Sequence, residues 1–411
     1  MSSTAPPRPA SRPRSPGQHR SGFWIIALSF LLTMAFATVP APLYALYQRA
    51  DHFPTFTLTL VFGAYAVGVA TALVLIGHLS DVHGRKRSVL LALALALVSA
   101  VVFTLRTDVA WLLAARFTSG LAVGTLTSAA TAFLTELELG AATAKVGAAR
   151  ANVIAGVVNL GGLGLGALVS GGLADLVRRP LLIPYLVFAI LFVVALVAVA
   201  LVPETVEVTS PAPPYRPQRV RAPEGGAAEF RAAATAAFAV FAVLGLFTSV
   251  APTFLALTFG VTDRFLAGGA TFVVFGGAAL AQVVFAGRSL ASHGRWGVAG
   301  IATGLVLLGV AALVVEAWLF VAASALTGIG VGLLFRAAIG TAASLARPHE
   351  RGGILATTFL IGYTGMVVPV VVTGALLLVL PATTVLIGFV VVVVALASWA
   401  GRRLVLSLDA G

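Results

Sequence analysis

Apolar residues in this 411-residue chain come in long blocks and do not alternate with polar ones. Twelve such runs lie at 23–47, 57–76, 88–105, 109–134, 151–173, 183–202, 232–257, 266–285, 297–315, 319–345, 355–380 and 383–400. Each is close to the ~20 residues that a helix needs to cross the ~30 Å hydrocarbon layer of a bilayer. Inside that layer the backbone must satisfy its own hydrogen bonds, which continuous helices do. The pattern therefore predicts an all-α integral membrane protein with twelve transmembrane helices. Short polar connections make neighbouring runs antiparallel.

One connection is long. Residues 204–231 contain Pro211, Pro213, Pro214, Pro217 and Pro223 and divide the runs six and six. The predicted organisation is a disordered tail at 1–22, a six-helix bundle at 23–203, a linker at 204–231, a second bundle at 232–402 and a tail at 403–411. So proline-rich a linker reads as a tether with nothing to pack against. The halves also repeat. Gly287 and Gly294 follow Gly77 and Gly84 by 210 residues, and Pro252 follows Pro42 by 210. Gly328 and Gly332 follow Gly120 and Gly124 by 208. One near-constant offset predicts two pseudo-symmetric bundles.

Composition narrows the function. Hydrophobic residues make up 59% of the chain and charged ones 10%, too apolar a balance for a soluble protein. The net charge of +12 is scattered loop by loop, which suits membrane orientation and not a nucleic-acid-binding face. With the N-terminus inside, the inner segments hold 19 Lys and Arg and the outer loops 5. That asymmetry predicts a multi-pass protein with both termini cytoplasmic. Only Lys86 and Lys145 are lysine, an arginine bias that suggests a GC-rich bacterial genome and hence the inner, plasma membrane. The absence of cysteine excludes disulfides, thiolate metal sites and thiol nucleophiles. No nucleotide, metal or catalytic-triad motif is present, so the expectation is a non-enzyme with no cofactor, acting as a monomer.

Between the second and third runs stands Gly77-His-Leu79-Ser-Asp81-Val-His-Gly84-Arg85-Lys86-Arg87. Gly84 supplies the turn, and the basic residues hold the loop at the inner face. Gly77, Leu79, Asp81, Gly84, Arg85 and Lys86 resemble the signature loop Gly-x-Leu-x-Asp-x-x-Gly-Arg-Lys of the major facilitator superfamily. Val82 stands where that family often has arginine. The resemblance implies a twelve-helix fold working by alternating access, with Asp81 anchoring an inner gate against the start of the eleventh helix at Arg351, Gly352 and Gly353. Gly162-Leu-Gly-Leu-Gly166-Ala167-Leu-Val-Ser170-Gly171 resembles the antiporter motif of drug-efflux members, although Ala167 replaces its proline and Ser170 a glycine.

Two arginines interrupt apolar runs, Arg116 in the fourth and Arg336 in the tenth. A charge at membrane depth costs ~2.5–3.5 kcal/mol on insertion scales, so it faces a cavity or a partner. Arg116 lies about 10 Å from the outer end of its helix by the 1.5 Å rise. Leu112-x-x-x-Arg116-x-x-Ser119-Gly120 resembles the family's fourth-helix motif, whose arginine is associated with proton coupling. Arg116 is thus a candidate for coupling or for substrate binding, with bracing of helices as the plain alternative. Arg336 reads as snorkelling to the cytoplasm. Gly120, Gly124, Gly162, Gly166 and Gly171 are candidates for close helix packing. Thr33, Phe36, Phe62, Tyr65, Asn159, Phe247, Thr248 and Tyr363 are candidates for a cavity wall suited to an apolar or amphipathic ligand. Pro40, Pro42 and Pro252 should interrupt the first and seventh helices.

These features lead to secondary active transport of a small molecule, first as proton-linked efflux of drug-like compounds. The competing reading is transport of an anionic metabolite with Arg116 as ligand, and a more distant one is a membrane scaffold or sensor. Against efflux, no acidic residue stands in mid-membrane to carry the proton.

Overall fold

The computed structural model describes residues 16–77, 79–139, 144–206, 217, 221–261, 263–347 and 350–409. The side chains of Asp81, Val82, Lys145 and Arg351 lie outside that description, as do the first fifteen residues and most of the linker. Among the described residues, twelve helices are long and apolar enough to cross a membrane. They are α1 (His19–Asp51), α2 (Thr55–Leu75), α3 (Arg85–Leu105), α4 (Val109–Leu139), α5 (Arg150–Leu176) and α6 (Ile183–Leu201), then α7 (Ala227–Phe259), α8 (Arg264–Val284), α9 (Leu290–Val314), α10 (Ala317–Ser344), α11 (Gly352–Leu376) and α12 (Ala382–Leu408). Among the described residues there is no strand. An even number of crossings brings the start of α1 and the end of α12 to one face, called here the near face. The opposite one is the far face.

Two of the twelve are not continuous α-helices. In α1 the regular helix ends at Thr38, a 3-10 turn spans Ala41–Leu43, and helix resumes over Tyr44–Asp51. Pro40 and Pro42 have no N–H to donate, so the hydrogen-bond ladder cannot pass through them. In α7 the helix widens into a π turn over Leu246–Val250 just before Pro252.

Glycine governs how closely the helices approach. A side chain on Gly120 would strike the carbonyl of Tyr65, and one on Gly124 would come within 2.7 Å of that of Val69, so α4 rests directly on α2. In the second bundle Gly328 and Gly332 of α10 meet the carbonyls of Val274 and Ala278 on α8 in the same way. Gly162 and Gly166 of α5 face the α1 carbonyls of Leu31 and Ala35, while Gly171 turns to Arg264 at the start of α8. Backbones this close gain dispersion contacts that lipid tails cannot replace.

The bundles meet chiefly along α5 against α8 and α2 against α11. On the far face the two bundles are tied together by polar contacts. Asp175 at the end of α5 accepts a hydrogen bond from Arg264 Nη1 at 2.8 Å and another from the Phe265 N–H at 2.9 Å. Its carboxylate thereby pairs with a charge and caps the N-terminus of α8. Nearby, Gly374 of α11 lies against Thr59 of α2.

The chain ends of the bundles differ from the sequence expectation in two places. The last helix continues through Asp409, so residues 403–409 extend it; Leu404 is fully buried and keeps the apolar periodicity going. The end of the linker does pack. The Arg221 N–H donates to Thr357 Oγ1 at 3.0 Å, Thr357 Oγ1 donates back to the Arg221 carbonyl at 2.8 Å, and Arg221 pairs with Glu350 at 3.5 Å. Glu224 pairs with Arg347 at 2.9 Å. Residues 221–226 are therefore held on the near ends of α10 and α11.

Candidate functional site

Between the bundles lies a cavity of about 60 Å³, room for a few water molecules. Its wall is mostly aromatic and aliphatic and draws on α1, α2, α4, α5, α7, α8, α10 and α11.

Among the described residues, Arg116 is the one charged side chain on that wall. It is 2% exposed, and its Nη1 donates to the Ala37 carbonyl at 2.7 Å. Ala37 lies in the last turn before the proline break of α1, where carbonyls lose their onward ladder partners. The prolines therefore create the acceptor that holds the arginine. The guanidinium sits 4.5 Å from the centre of the Tyr65 ring and 5.5 Å from that of Phe62. Cation–π contacts of this kind reach about 2 kcal/mol when desolvated. Nε has no hydrogen-bond partner, and among the described residues no carboxylate pairs with the side chain. A buried guanidinium with five donors, held by one carbonyl and two rings, retains donors for an anion.

Of the cavity candidates, Phe62, Tyr65, Asn159, Thr248 and Tyr363 share the wall with Arg116. Thr33, Phe36 and Phe247 do not. Thr33 donates to the Ser29 carbonyl at 2.9 Å, and Phe36 packs inside the first bundle on Phe103, Tyr185, Phe188 and Phe192. Phe247 lies against Phe320 in the core of the second bundle. The reason is helix phase. Met34, Ala37 and Thr38 form the cavity face of α1, and positions 33 and 36 point away from it. The wall also includes Thr38, Thr127, Phe241, Phe335 and Met366, which the sequence does not distinguish from other apolar or hydroxyl positions.

The signature loop lies on the near face of the first bundle. The Gly77 N–H donates to the Ala72 carbonyl at 2.9 Å, and Leu79 opens a short helix through His83. Gly84 turns the chain at φ 102°. Arg85 Nε reaches Glu136 of α4 at 3.1 Å, and its Nη1 donates to Ser80 Oγ at 2.8 Å. Glu204, just past α6, accepts from the N–H groups of Arg85 at 3.0 Å and Lys86 at 3.1 Å. The Lys86 ammonium donates to the Ala200 carbonyl, and Arg87 is exposed. Arg85, Lys86, Glu136 and Glu204 thus tie α3, α4 and α6 together. The expected contact of Asp81 with Arg351 lies outside the described residues.

Arg336 donates to the carbonyls of Gln282 at 3.2 Å and Ala286 at 3.0 Å. It caps the end of α8, which accounts for a charge at that depth without a ligand.

The family model of the Major Facilitator Superfamily matches residues 25–368. Among solved structures, the chain resembles the human organic anion transporter MFSD10 (TETRAN) with a TM-score of 0.63 at 16% identity, covering 94% of this chain and 99% of that one. It also resembles the nucleoside transporter NupG (D323A mutant), with a TM-score of 0.69 at 11% identity, covering 94% and 99% respectively. Identities this low carry the fold alone. No curated protein matches the sequence.

Proposed function

Since the chain belongs to the Major Facilitator Superfamily and is a multi-pass transporter of small molecules, we propose that its substrate is an amphipathic organic anion bound by Arg116. The observation that carries this reading is the buried guanidinium on the cavity wall, with an unpartnered Nε and no paired carboxylate among the described residues. The aromatic surroundings suit the apolar part of such a molecule. Alternating access would expose the cavity to each face in turn, with the Asp175–Arg264 contact tying the bundles together on the far side in the state described. The distribution of Lys and Arg supports a cytoplasmic near face.

Proton-linked efflux of drug-like compounds is the second reading. The glycines of α5 at 162, 166 and 171, set as in the drug-antiporter motif, favour it. Among the described residues the cavity wall holds no Asp, Glu or His to carry the proton, which favours the anion.

The test is binding and uptake in proteoliposomes for wild type, Arg116→Lys and Arg116→Gln. Lysine keeps the charge and loses the planar fork. Anion binding should weaken about tenfold or more with lysine and be nearly abolished with glutamine, since a charge-assisted contact is worth roughly 1.5–3 kcal/mol. Retained binding in Arg116→Lys with an altered pH profile of flux would favour the efflux reading. Unchanged affinity and pH profile in both variants would remove Arg116 from the mechanism.

A further inference from the structure

We infer that the phenols of Tyr65 and Tyr363 form the second polar contact of the substrate, taking a hydroxyl or carbonyl oxygen that the molecule carries beside its anionic group. The inference rests on the anion reading above. Tyr65 comes from α2 of the first bundle and Tyr363 from α11 of the second. Both residues line the cavity with Arg116.

The other hydroxyls of the wall are already committed. Thr127 donates to the Val123 carbonyl at 2.8 Å, Thr248 to that of Leu244 at 2.8 Å, and Thr38 to that of Leu163 at 2.5 Å. The phenol pair, Asn159 and Arg116 remain as polar groups able to meet a ligand. Each phenol offers one donor and two acceptor sites.

The placement of the pair distinguishes it from Asn159. Arg116 stacks on the Tyr65 ring, so its guanidinium and the Tyr65 hydroxyl act from one side chain's two surfaces, face and edge. Tyr363 is held edge-on against Phe241 with ring centres 5.0 Å apart, and Tyr65 lies beside Phe62 at 6.3 Å. Held rings present their hydroxyls at little entropic cost. A substrate with an anion on Arg116 and an oxygen at the phenols would touch both bundles at once. Loaded and empty carriers would then differ in what links α2 to α11.

The probes are phenylacetate and its ortho, meta and para hydroxy derivatives, with affinities measured on purified protein by calorimetry. Wild type should bind at least one hydroxy isomer about tenfold more tightly than phenylacetate, the increment of one good hydrogen bond. Tyr65→Phe and Tyr363→Phe keep the rings and should erase that preference, so that each variant binds the hydroxy isomers no more tightly than it binds phenylacetate. Thermal melts of both variants confirm folding. A hydroxy preference that survives both substitutions, or an equal loss for phenylacetate and its hydroxy forms, would overturn the inference. The two readings fail in distinguishable ways. If wild type binds none of these anions, the anion reading falls and takes the phenol contact with it. If Arg116→Gln abolishes all binding while the phenylalanine variants keep the hydroxy preference, the anion reading stands and the phenol contact falls.

Discussion

Glu204 and Gly84 show how single residues set the near end of the first bundle. The carboxylate takes two N–H groups at the start of α3, where the helix dipole favours negative charge. Gly84 makes that approach possible by turning at φ 102° directly beneath it, and a side chain there would run into the Glu204 carboxylate. Gly84→Ala should therefore destabilise by about 1–2 kcal/mol for the backbone alone, with further loss of the cap. Gly294, its counterpart in the repeat, lies within α9, and a side chain there would meet only Val405 at 3.2 Å. Thermal melts in one detergent should show a clearly lower midpoint for Gly84→Ala than for Gly294→Ala. Equal midpoints would mean that the turn tolerates a side chain. At this scale the sequence reveals what is chemically unusual. Arg116 is visible as a charge within an apolar run, and Gly84 as the turn between two runs. Thr38, Phe241 and Phe335 are not visible as cavity residues, because lipid and protein interior are both apolar and the helices carry no polar stripe to mark their inner face.

Whole helices are far more legible, since length and apolarity alone decide whether a segment can cross a bilayer. All twelve runs correspond to helices, with ends shifted by several residues where polar helical turns project beyond the apolar layer, as in α4 and α5. The proline breaks of α1 and α7 also follow from chemistry that a sequence displays. The far-face tie does not, because Asp175 and Arg264 stand 89 residues apart and meet only once α5 and α8 are packed. Both side chains are about 30% exposed, so the pair is worth roughly 1 kcal/mol at most. Asp175→Asn should shift the balance toward a far-open state by up to about fivefold. The native chain has no cysteine, so a single cysteine at Ala267, buried at 8% on α8, can report the change. A membrane-impermeant maleimide added from the far side should label it faster in the asparagine background. Identical labelling rates would show that the carboxylate does not hold this side shut.

For the molecule as a whole, the repeat extends to the glycine contacts of α4 on α2 and of α10 on α8, yet the halves are chemically unequal. Arg116 stands on the cavity wall of the first, while Arg336, lower in the second, caps α8. This asymmetry has an electrical consequence. Arg116 sits within the apolar layer with no carboxylate partner among the described residues, so a voltage across the membrane acts on the carrier itself. On the anion reading proposed above, a bound monoanion would make the site neutral, and the empty site would keep one positive charge. A unit charge carried through the entire field feels about 2.3 kcal/mol per 100 mV. That sets a ceiling of roughly fiftyfold on the bias between the two orientations of the empty carrier. Net uptake, in which the carrier must return empty, should respond to a potential clamped with potassium and valinomycin. One-for-one exchange of anions, in which it never does, should be indifferent to it. If net uptake ignores the voltage, the guanidinium keeps the same position in the field in both orientations, and only the walls around it move.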